Sequence, residues 1–408
     1  MKETRIKSIL IIGIDATALA TSANKAGYNV FAVDYFGDQD LKKACRNNLS
    51  IITQQAGKSC GCLKTDFSPD KLLPLAIKLL KNHQIDATLL ASGLEDSPQV
   101  LTELNELIPI IGNQPQTIKK ARDKPEFFQE LKKLNIQHPE TALTRSLEEG
   151  KQAAKDIGYP VVVKPLATLG GLGIRKAKDK NEIETVFPPI MASSQGVLIQ
   201  EFLSGTDASV SFLSSKKTTR VLTLNEQLSG IQEVGQKEPF GYCGNIVPLS
   251  ANNTLIEACS NIAQKIASHF ELLGSNGMDL VISEDSVPYV VEINPRFQGT
   301  LECVERILGI NLINAHMKAC IKGIIPSFQK RKATNHCVRL ILYAHHRSTI
   351  PNLATFAELR DIPFSEVVIE EGEPLCSIVI EGKTRGIASK KAETLANSVY
   401  RLAKPKLQ

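Results

Sequence analysis

The chain has 408 residues, a formal net charge of +5 at pH 7, and 42% hydrophobic and 22% charged residues. This length suits about two to four domains of ~100–200 residues each, and the composition is ordinary for a soluble globular protein. The basic residues form no long run, which argues against nucleic-acid binding. No apolar run approaches the ~20 residues that a membrane span needs, so we expect a cytoplasmic protein that binds no membrane.

The first elements along the chain predict a β-α-β unit of a parallel, doubly wound sheet. An apolar strand at Ser8–Ile12 leads through a helical pattern to a second strand at Asn29–Asp34. The turn at Gly13 lacks the G-x-G-x-x-G fingerprint, although Asp34 stands where a ribose-binding acid would be expected. A structural or substrate-contacting domain is therefore favoured over a dinucleotide-binding one.

A polar loop, residues 92–97, follows a predicted buried strand at residues 87–91. Ligands of open α/β sheets bind at such carboxyl ends of strands. Turn residues at 111–115 then indicate a domain boundary.

Nine cysteines are scattered over the chain without a C-x-x-C pair. Cys60 and Cys62 form a lone C-x-C, which does not define a metal site. Free thiols in a reducing compartment are the simpler interpretation.

The segment Val161–Pro165 predicts a short apolar strand that carries Lys164 and opens into a glycine-rich loop. Gly170, Gly171 and Gly173 would let backbone N–H groups close over phosphates, and the lysine would add a fixed positive charge. No Walker motif surrounds the loop. The alternative is a glycine-rich hairpin with a solvent-exposed lysine.

A strand that leaves into a polar turn spans residues 196–205. The carboxylate of Glu201 could bind ribose hydroxyls, and the backbone of Phe202 and Leu203 could bind an adenine edge. Asp207 continues this segment. By itself the pattern is also that of an ordinary strand end.

Two further strand patterns carry the residues best suited to a metal. Asp279 lies within residues 277–282, and Glu292, Asn294 and Arg296 follow at every second position of the next strand. Alternate residues of a strand share one face. Two carboxylates and an amide oxygen suit Mg²⁺ shared with nucleotide phosphates, and the arginine could bind a phosphate or a carboxylate in bidentate fashion.

The remaining chain predicts strands at residues 337–343, 365–370 and 375–380, and a final helix at residues 390–402. His345 and His346 are adjacent on a predicted strand, so their side chains would point to opposite faces and would not share a metal.

The order of these motifs resembles that of the ATP-grasp superfamily of carboxylate–amine ligases, over about residues 112–325. In that family the motifs follow a fixed order: a lysine, a Lys-Pro strand with a glycine loop, an E-x-x-x-G hinge, an Asp-bearing strand and an E-x-N-P-R segment. The matching positions here are Lys124, Lys164 with Gly170 to Gly173, Glu201 to Gly205, Asp279, and Glu292 to Arg296.

The resemblance implies a fold class of α/β plus α+β. It comprises a Rossmann-like pre-ATP-grasp domain at 1–112, a two-lobed ATP-grasp domain at 113–325 with its lid at about 140–205, and a small C-terminal α+β module at 326–408. The module resembles those of archaeal and methylotroph members linked to one-carbon carrier cofactors, which suggests cofactor biosynthesis.

The resemblance also implies roles for single residues. ATP would be bound by Lys124, Lys164, Gly170, Gly171, Gly173, Glu201, Phe202, Leu203 and Asp207. Mg²⁺ or Mn²⁺ would be held by Asp279, Glu292 and Asn294. Lys164 and Arg296 would act in catalysis, with Arg296 steadying an acyl phosphate. For the acceptor the sequence offers only candidates, Arg220, Asn245, Arg296 and Gln298 to Thr300.

The implied activity is ATP-dependent joining of a small carboxylate to an amine. A carboxylase or kinase-like ATP-grasp enzyme is one alternative, and a nucleotide-binding sensor without turnover is another. The expected partners are small-molecule substrates only, and a homodimer is left open.

Overall fold

The computed structural model describes residues 6–327 and 335–406. Its N-terminal part is a parallel sheet of four strands in the order β3-β2-β1-β4 with helices around it. The strands are β1 Ser8–Ile12, β2 Asn29–Asp34, β3 Asn47–Ser50 and β4 Ala87–Leu90; the helices are α1 Thr17–Lys25, α2 Gln39–Ala44, α3 Leu63–Asp66, α4 Leu72–Asn82 and α5 Pro98–Leu107.

The β-α-β opening is confirmed, because β1 and β2 pair in parallel over the predicted residues. Both strands are continuous apolar runs, as expected for strands covered on both faces. The apolar side chains of β1 alternate between two clusters, Ile9 and Ile11 in one and Leu10 and Ile12 in the other.

A second unit is an antiparallel sheet in the order β5-β8-β6-β7, preceded by two helices and covered by two more. It comprises α6 Pro115–Arg122, α7 Lys124–Lys133, β5 Thr141–Thr144, α8 Leu147–Ile157, β6 Val161–Pro165, β7 Arg175–Ala177, α9 Lys180–Ala192 and β8 Val197–Glu201. Gly150 lets α8 approach α9 closely, since a Cβ there would lie 2.7 Å from the ring of Phe187.

The largest sheet has eight strands in the order β13-β12-β9-β10-β11-β14-β18-β16, and a small sheet has the order β17-β15-β19. The strands are β9 Thr206–Ser214, β10 Thr219–Ser229, β11 Tyr242–Val247, β12 Gly274–Ile282, β13 Pro288–Asn294, β14 His336–Tyr343, β15 Ser348–Thr349, β16 Leu359–Arg360, β17 Val368–Ile369, β18 Pro374–Gly382 and β19 Lys404–Pro405. The helices are α10 Asn253–His269, α11 Leu301–Leu308, α12 Leu312–Lys322 and α13 Arg385–Leu402.

The eight-stranded sheet joins the central part of the chain to its C-terminal part. Helix α10 packs on β10, and α13 packs on β14 and β18. Helix α1 of the N-terminal part packs against α11 and α12. These contacts bring the carboxyl ends of β1 and β4 next to the large sheet, and the candidate site lies at that junction.

The C-terminal predictions need correction in three places. The last helix begins at Arg385, five residues before the predicted start, and only Val368–Ile369 of the predicted 365–370 strand pairs in a sheet. His345 and His346 lie in the turn after β14, because the chain reverses there to enter β15. The His345 ring packs on Tyr400 with 4.5 Å between centroids, which is a structural role.

Among the described residues, no helix combines the length and apolar character that crossing a membrane would require.

Candidate active site

A cavity of ≈ 760 Å³ lies where the N-terminal sheet, the lid sheet and the large sheet meet. Its lining includes predicted residues from all three units, among them Glu95, Lys164, Gly170, Glu201, Asp279, Glu292 and Arg296. These residues are spread over about two hundred positions of the sequence, and the fold brings them to the border of one cavity.

The acid pair of the cavity is set by the register of β12 and β13. Asp279 stands directly opposite Glu292, and a β-bulge follows between Asp279 and Leu280. Asn294 Nδ2 donates to Asp279 Oδ2 over 3.0 Å. The described residues contain no group of three or more His, Cys, Asp or Glu that could hold a metal. The oxygen donors that the two strands bring together are two carboxylates and one amide, a type of ligand that suits Mg²⁺.

The two carboxyl groups differ in their electrostatic surroundings. Burial, together with the negative charge of Glu292, raises the pKa of Asp279 to about 7. Burial also opposes ionisation of Glu292, but the positive charges of Arg122, Lys124 and Lys164 outweigh it and lower the pKa of Glu292 to about 2. The protein's own cations thus outweigh burial at Glu292. At Asp279 the charges of Arg296 and Arg122 also favour ionisation, but they do not offset burial and the charge of Glu292.

Arg122 is a site residue that the sequence analysis missed. At the end of α6, it donates through Nε and Nη2 to the two carboxylate oxygens of Asp96 over 2.7 and 2.8 Å. Its Nη1 also contacts the carboxylate of Glu292, and only 6% of its side chain is exposed. The segment Arg122-Asp-Lys was noticed for its lysine, and a basic residue in the last turn of a helix gave no sign of burial.

Arg296 forms a matching pair with the same N-terminal loop. Its Nε contacts the carboxylate of Glu95, and its Nη1 donates to Phe297 O over 2.9 Å. Residues 92–97 therefore supply one carboxylate to each arginine, Glu95 to Arg296 and Asp96 to Arg122. The predicted ligand loop lies at the cavity, and its acids orient the two guanidinium groups.

The two predicted lysines occupy different places. Lys164 ends β6 and lines the cavity. Burial, helped by the charge of Lys124, lowers the pKa of Lys164 to about 8. Lys124 begins α7 and acts electrostatically on Lys164 and Glu292, but it is outside the lining that the described residues form.

The glycine-rich loop between β6 and β7 folds over the cavity against residues 238–242. Tyr242 N donates to Gly170 O over 2.9 Å. Gly171 has φ +80°, and a Cβ there would lie 1.9 Å from Phe240 O. Gly173 N donates to Glu238 over 3.4 Å, and Glu238 also pairs with Arg175. Glycine is therefore required at position 171 both for its conformation and for this close approach.

The predicted nucleoside residues cluster where β8 ends and β9 begins. Glu201, Phe202, Leu203 and Asp207 all line the cavity. Glu201 accepts from Glu140 N over 3.1 Å. The ammonium of Lys176 lies 3.3 Å from the ring centroid of Phe202, a cation–π contact that the sequence did not reveal.

The acceptor candidates divide into two groups. Asn245, Gln298, Gly299 and Thr300 line the cavity beyond Arg296. Arg220 is outside that lining and donates to Pro326 O over 3.1 Å. The same end of the cavity is also bordered by Asp15, Arg339 and Asp361, which the sequence analysis did not single out.

Comparisons with known proteins show what the chain is similar to. A family model described as an ATP-grasp domain matches residues 121–300. An uncharacterized protein of Methanocaldococcus jannaschii is 27% identical over 405 residues, which cover 96% of this chain and 90% of that protein. The carbamoyl phosphate synthase large chain of Thermotoga petrophila is 26% identical over 254 residues, which cover 61% of this chain but only 23% of that protein.

The fold has a solved counterpart in the biotin carboxylase of Campylobacter jejuni, determined as its β-γ-ATP complex. The two structures superpose with a TM-score of 0.76 at 17% sequence identity, over 95% of this chain and 90% of that one. At this identity the likeness concerns the fold.

Proposed function

We propose that the protein is an ATP-dependent ligase that joins a small carboxylate to an amine through an acyl phosphate, because residues 121–300 match a family model described as an ATP-grasp domain. The observation that carries the proposal is the convergence of Asp279, Glu292 and Asn294 with Lys164 and Arg296 on one cavity. The cavity continues past these residues, which leaves space for substrates beside a nucleotide.

A divalent cation fits the acid pair. Burial and the neighbouring carboxylate of Glu292 raise the pKa of Asp279, and the charges of Arg296 and Arg122 do not offset them. We propose that Asp279, Glu292 and Asn294 hold Mg²⁺, with Mn²⁺ as an alternative. When bound, the ion would neutralise charge on the transferring phosphoryl group and orient it.

In the first step, a carboxylate oxygen of the acid substrate attacks the γ-phosphorus of ATP. The bond from the γ-phosphorus to the β–γ bridging oxygen breaks, and ADP leaves. Lys164 and Lys124 supply positive charge beside the phosphates, and the glycine-rich loop excludes water from them. Positioning and charge stabilisation account for most of the catalysis in such transfers.

In the second step, the amine nitrogen attacks the carbonyl carbon of the acyl phosphate. The bond from that carbon to the phosphate oxygen breaks, phosphate leaves, and the amine proton passes to solvent or to a nearby carboxylate. Arg296, held in place by Glu95, would stabilise the phosphate oxygens in both steps. Glu201, Phe202, Leu203 and Asp207 would bind the nucleoside.

We further propose domain limits at 1–112, 113–325 and 326–408, with the lid at about 140–205. The C-terminal part would then complete the substrate end of the cavity, since β14 and β18 extend the same sheet. Cofactor biosynthesis is the proposed setting.

Product analysis tests the ligase. Purified protein with ATP, Mg²⁺ and pooled acids and amines should yield ADP, phosphate and an amide detectable by mass spectrometry. An ¹⁸O-labelled carboxylate should pass one label to the released phosphate. Label in AMP would overturn the mechanism, and nucleotide binding without turnover in any pool would favour a sensor.

A carboxylase is the second candidate, because the chain shares its fold with a biotin carboxylase and part of its sequence with carbamoyl phosphate synthase chains. Bicarbonate-dependent ADP release without any added acid would favour this candidate over the ligase.

A further inference from the structure

We propose that the end of the cavity between the N-terminal sheet and the C-terminal strands binds a primary amine with an apolar body, whose ammonium group is held by Asp361 and Asp15. We call this end the amine recess; its lining includes Asp15, Tyr35, Phe36, Asp38, Phe67, Arg339, Asp361, Glu373 and Leu375. The proposal rests on the ligase function and names the class of its acceptor.

The walls of the amine recess are fixed by hydrogen bonds across the junction. Asp40 accepts from the backbone N–H groups of Asp361 and Ile362 over 2.9 and 3.0 Å. Gln54 bridges the same two segments, since it accepts from Phe364 N over 2.7 Å and donates to Asp38 over 2.8 Å. The recess is therefore built from two parts of the chain that hold each other in place.

Arg339 organises the acids of the recess. Its Nη2 lies 2.9 Å from Asp361 Oδ2 and 3.2 Å from Asp15 Oδ2, and the residue is only 5% exposed. Because its guanidinium already contacts two carboxylates, it is committed to holding them and cannot serve as a free anion site.

Two acceptor atoms at the recess lack a partner. Among the described residues, Asp361 Oδ1 and the hydroxyl oxygen of Tyr35 are buried and make no hydrogen bond. Tyr35 is 1% exposed. Buried polar groups normally have a partner, and an unpaired carboxylate oxygen and an unpaired hydroxyl oxygen can each accept a hydrogen bond from an ammonium group. Asp361 also adopts φ +55°, which is uncommon for a residue other than glycine and recurs at functional sites.

The charges around the recess favour a cation. Among the residues that define the recess, four carry a carboxyl group and one carries a guanidinium, namely Asp15, Asp38, Asp361 and Glu373 against Arg339. Burial and neighbouring acids raise the pKa values of Asp38, Asp361 and Glu373, as expected where negative charge exceeds positive charge. An ammonium group would relieve this excess, and a second carboxylate would add to it.

The rest of the wall is apolar and aromatic. The Tyr35 ring meets Phe36 edge-on at 4.9 Å and Phe67 edge-on at 5.9 Å. Leu375 is buried and also lines the cavity. Such a surface accepts a hydrocarbon or aromatic body by burial of apolar area.

The recess lies within reach of the reacting groups. Arg339 Nη1 lies 3.4 Å from Gly299 O, and Gly299 follows Arg296 by three residues, which span at most ~11 Å. The amine recess and Arg296 therefore border neighbouring parts of the same cavity.

Binding to the full-length protein tests the proposal without requiring turnover. Phenethylamine, 2-phenylethanol and 3-phenylpropionate share one body and differ in charge, and hexylamine replaces the ring by an alkyl chain. Calorimetry and thermal stabilisation should show that the two amines bind, and that the alcohol and the acid bind at least ~10-fold more weakly, as loss of a charge-assisted hydrogen bond predicts.

Two variants locate the site. Asp361→Asn keeps the size of the side chain and tolerates the positive φ, and it should lower amine affinity ~10-fold or more; Asp15→Asn should do the same. Glu393→Gln, on the exposed face of α13, is the matched control and should leave amine binding unchanged. The proposal is overturned by tighter binding of the acid than of the amines, by wild-type amine affinity in folded Asp361→Asn, or by failure of both amines to bind.

These outcomes separate the two proposals. Amine binding that depends on Asp361, without ATP-dependent product, would remove the ligase and keep the amine recess. If the protein releases ADP with an acid and forms an amide, but its amine binding does not depend on Asp361, the ligase is kept and the amine recess is removed.

Discussion

The side-chain amide of Asn294 donates to Asp279 over 3.0 Å and presents its oxygen toward Arg122 and Arg296, each 3.5 Å away. One amide thus links Asp279 to the two arginines that flank the acid pair. Since the arginines are in turn held by Asp96 and Glu95, the proposed metal site and the N-terminal loop form one polar network.

Glu292→Gln should abolish turnover while keeping the fold. Glutamine preserves size and can still accept from Arg122, but it removes the charge that would hold Mg²⁺ between phosphates. We expect ADP release to fall by more than ~100-fold, since even the outer partners of a metal are worth 10–100-fold. Glu284→Gln, exposed in the β12–β13 turn, is the control. A wild-type rate in Glu292→Gln would show that the metal assignment is wrong.

Arg122→Met should destabilise the protein by about 3 kcal/mol, because it leaves the carboxylates of Glu292 and Asp96 without their shared partner. The value is taken at the lower end of the range for buried pairs, since 25% of the Glu292 side chain is exposed. Urea unfolding measures the change. Lys119→Met, on the exposed side of the same helix, should stay within ~0.5 kcal/mol of wild type. Equal stabilities of the two variants would contradict the buried role of Arg122.

Nucleotide affinity should fall as the pH rises through about 8. Burial, together with Lys124, lowers the pKa of Lys164 to about 8, so the ammonium is charged below that pH and neutral above it. Only the charged form attracts phosphates. Titration of ADP between pH 7 and pH 10 by calorimetry should show the loss in wild type. Lys164→Arg should flatten the profile, because arginine stays protonated throughout this range; an unchanged profile would place the titrating group elsewhere.

Gly171→Ala should weaken nucleotide binding by displacing the glycine-rich loop. Its Cβ would lie 1.9 Å from Phe240 O in a backbone conformation that L side chains rarely adopt. Limited proteolysis in the loop should slow when an ATP analogue and Mg²⁺ are added to wild type, and the protection should be lost in the variant. Gly386→Ala, which meets nothing within 4 Å, is the control. Identical cleavage with and without nucleotide in wild type would refute the lid.

Local patterns in the sequence were sufficient for the elements that carry the predicted residues. Period-two alternation in β13 places Glu292 and Asn294 on one face, and the apolar run before Lys164 predicts β6 with its observed bounds. These predictions succeed because side-chain direction along a strand depends on neighbours one or two residues away. The strand predicted at 365–370 is shortened to Val368–Ile369, and His345 and His346 lie in a turn and not on the predicted strand. Short strands of this kind depend on the partners with which they pair, which local sequence patterns do not reveal.

What the sequence determined by itself was the fold class and the residues on strand and loop ends that form the proposed nucleotide and metal sites. Only the tertiary structure decided which cations and anions meet. Arg122 reaches Glu292 across 170 positions of sequence, and Arg339 reaches Asp15 across 324. Such pairs depend on how the sheets pack. Packing removes a charged side chain from water, and the cost of that desolvation is offset only if an opposite charge lies beside it. The amine recess is of this kind, because its two walls come from opposite ends of the chain.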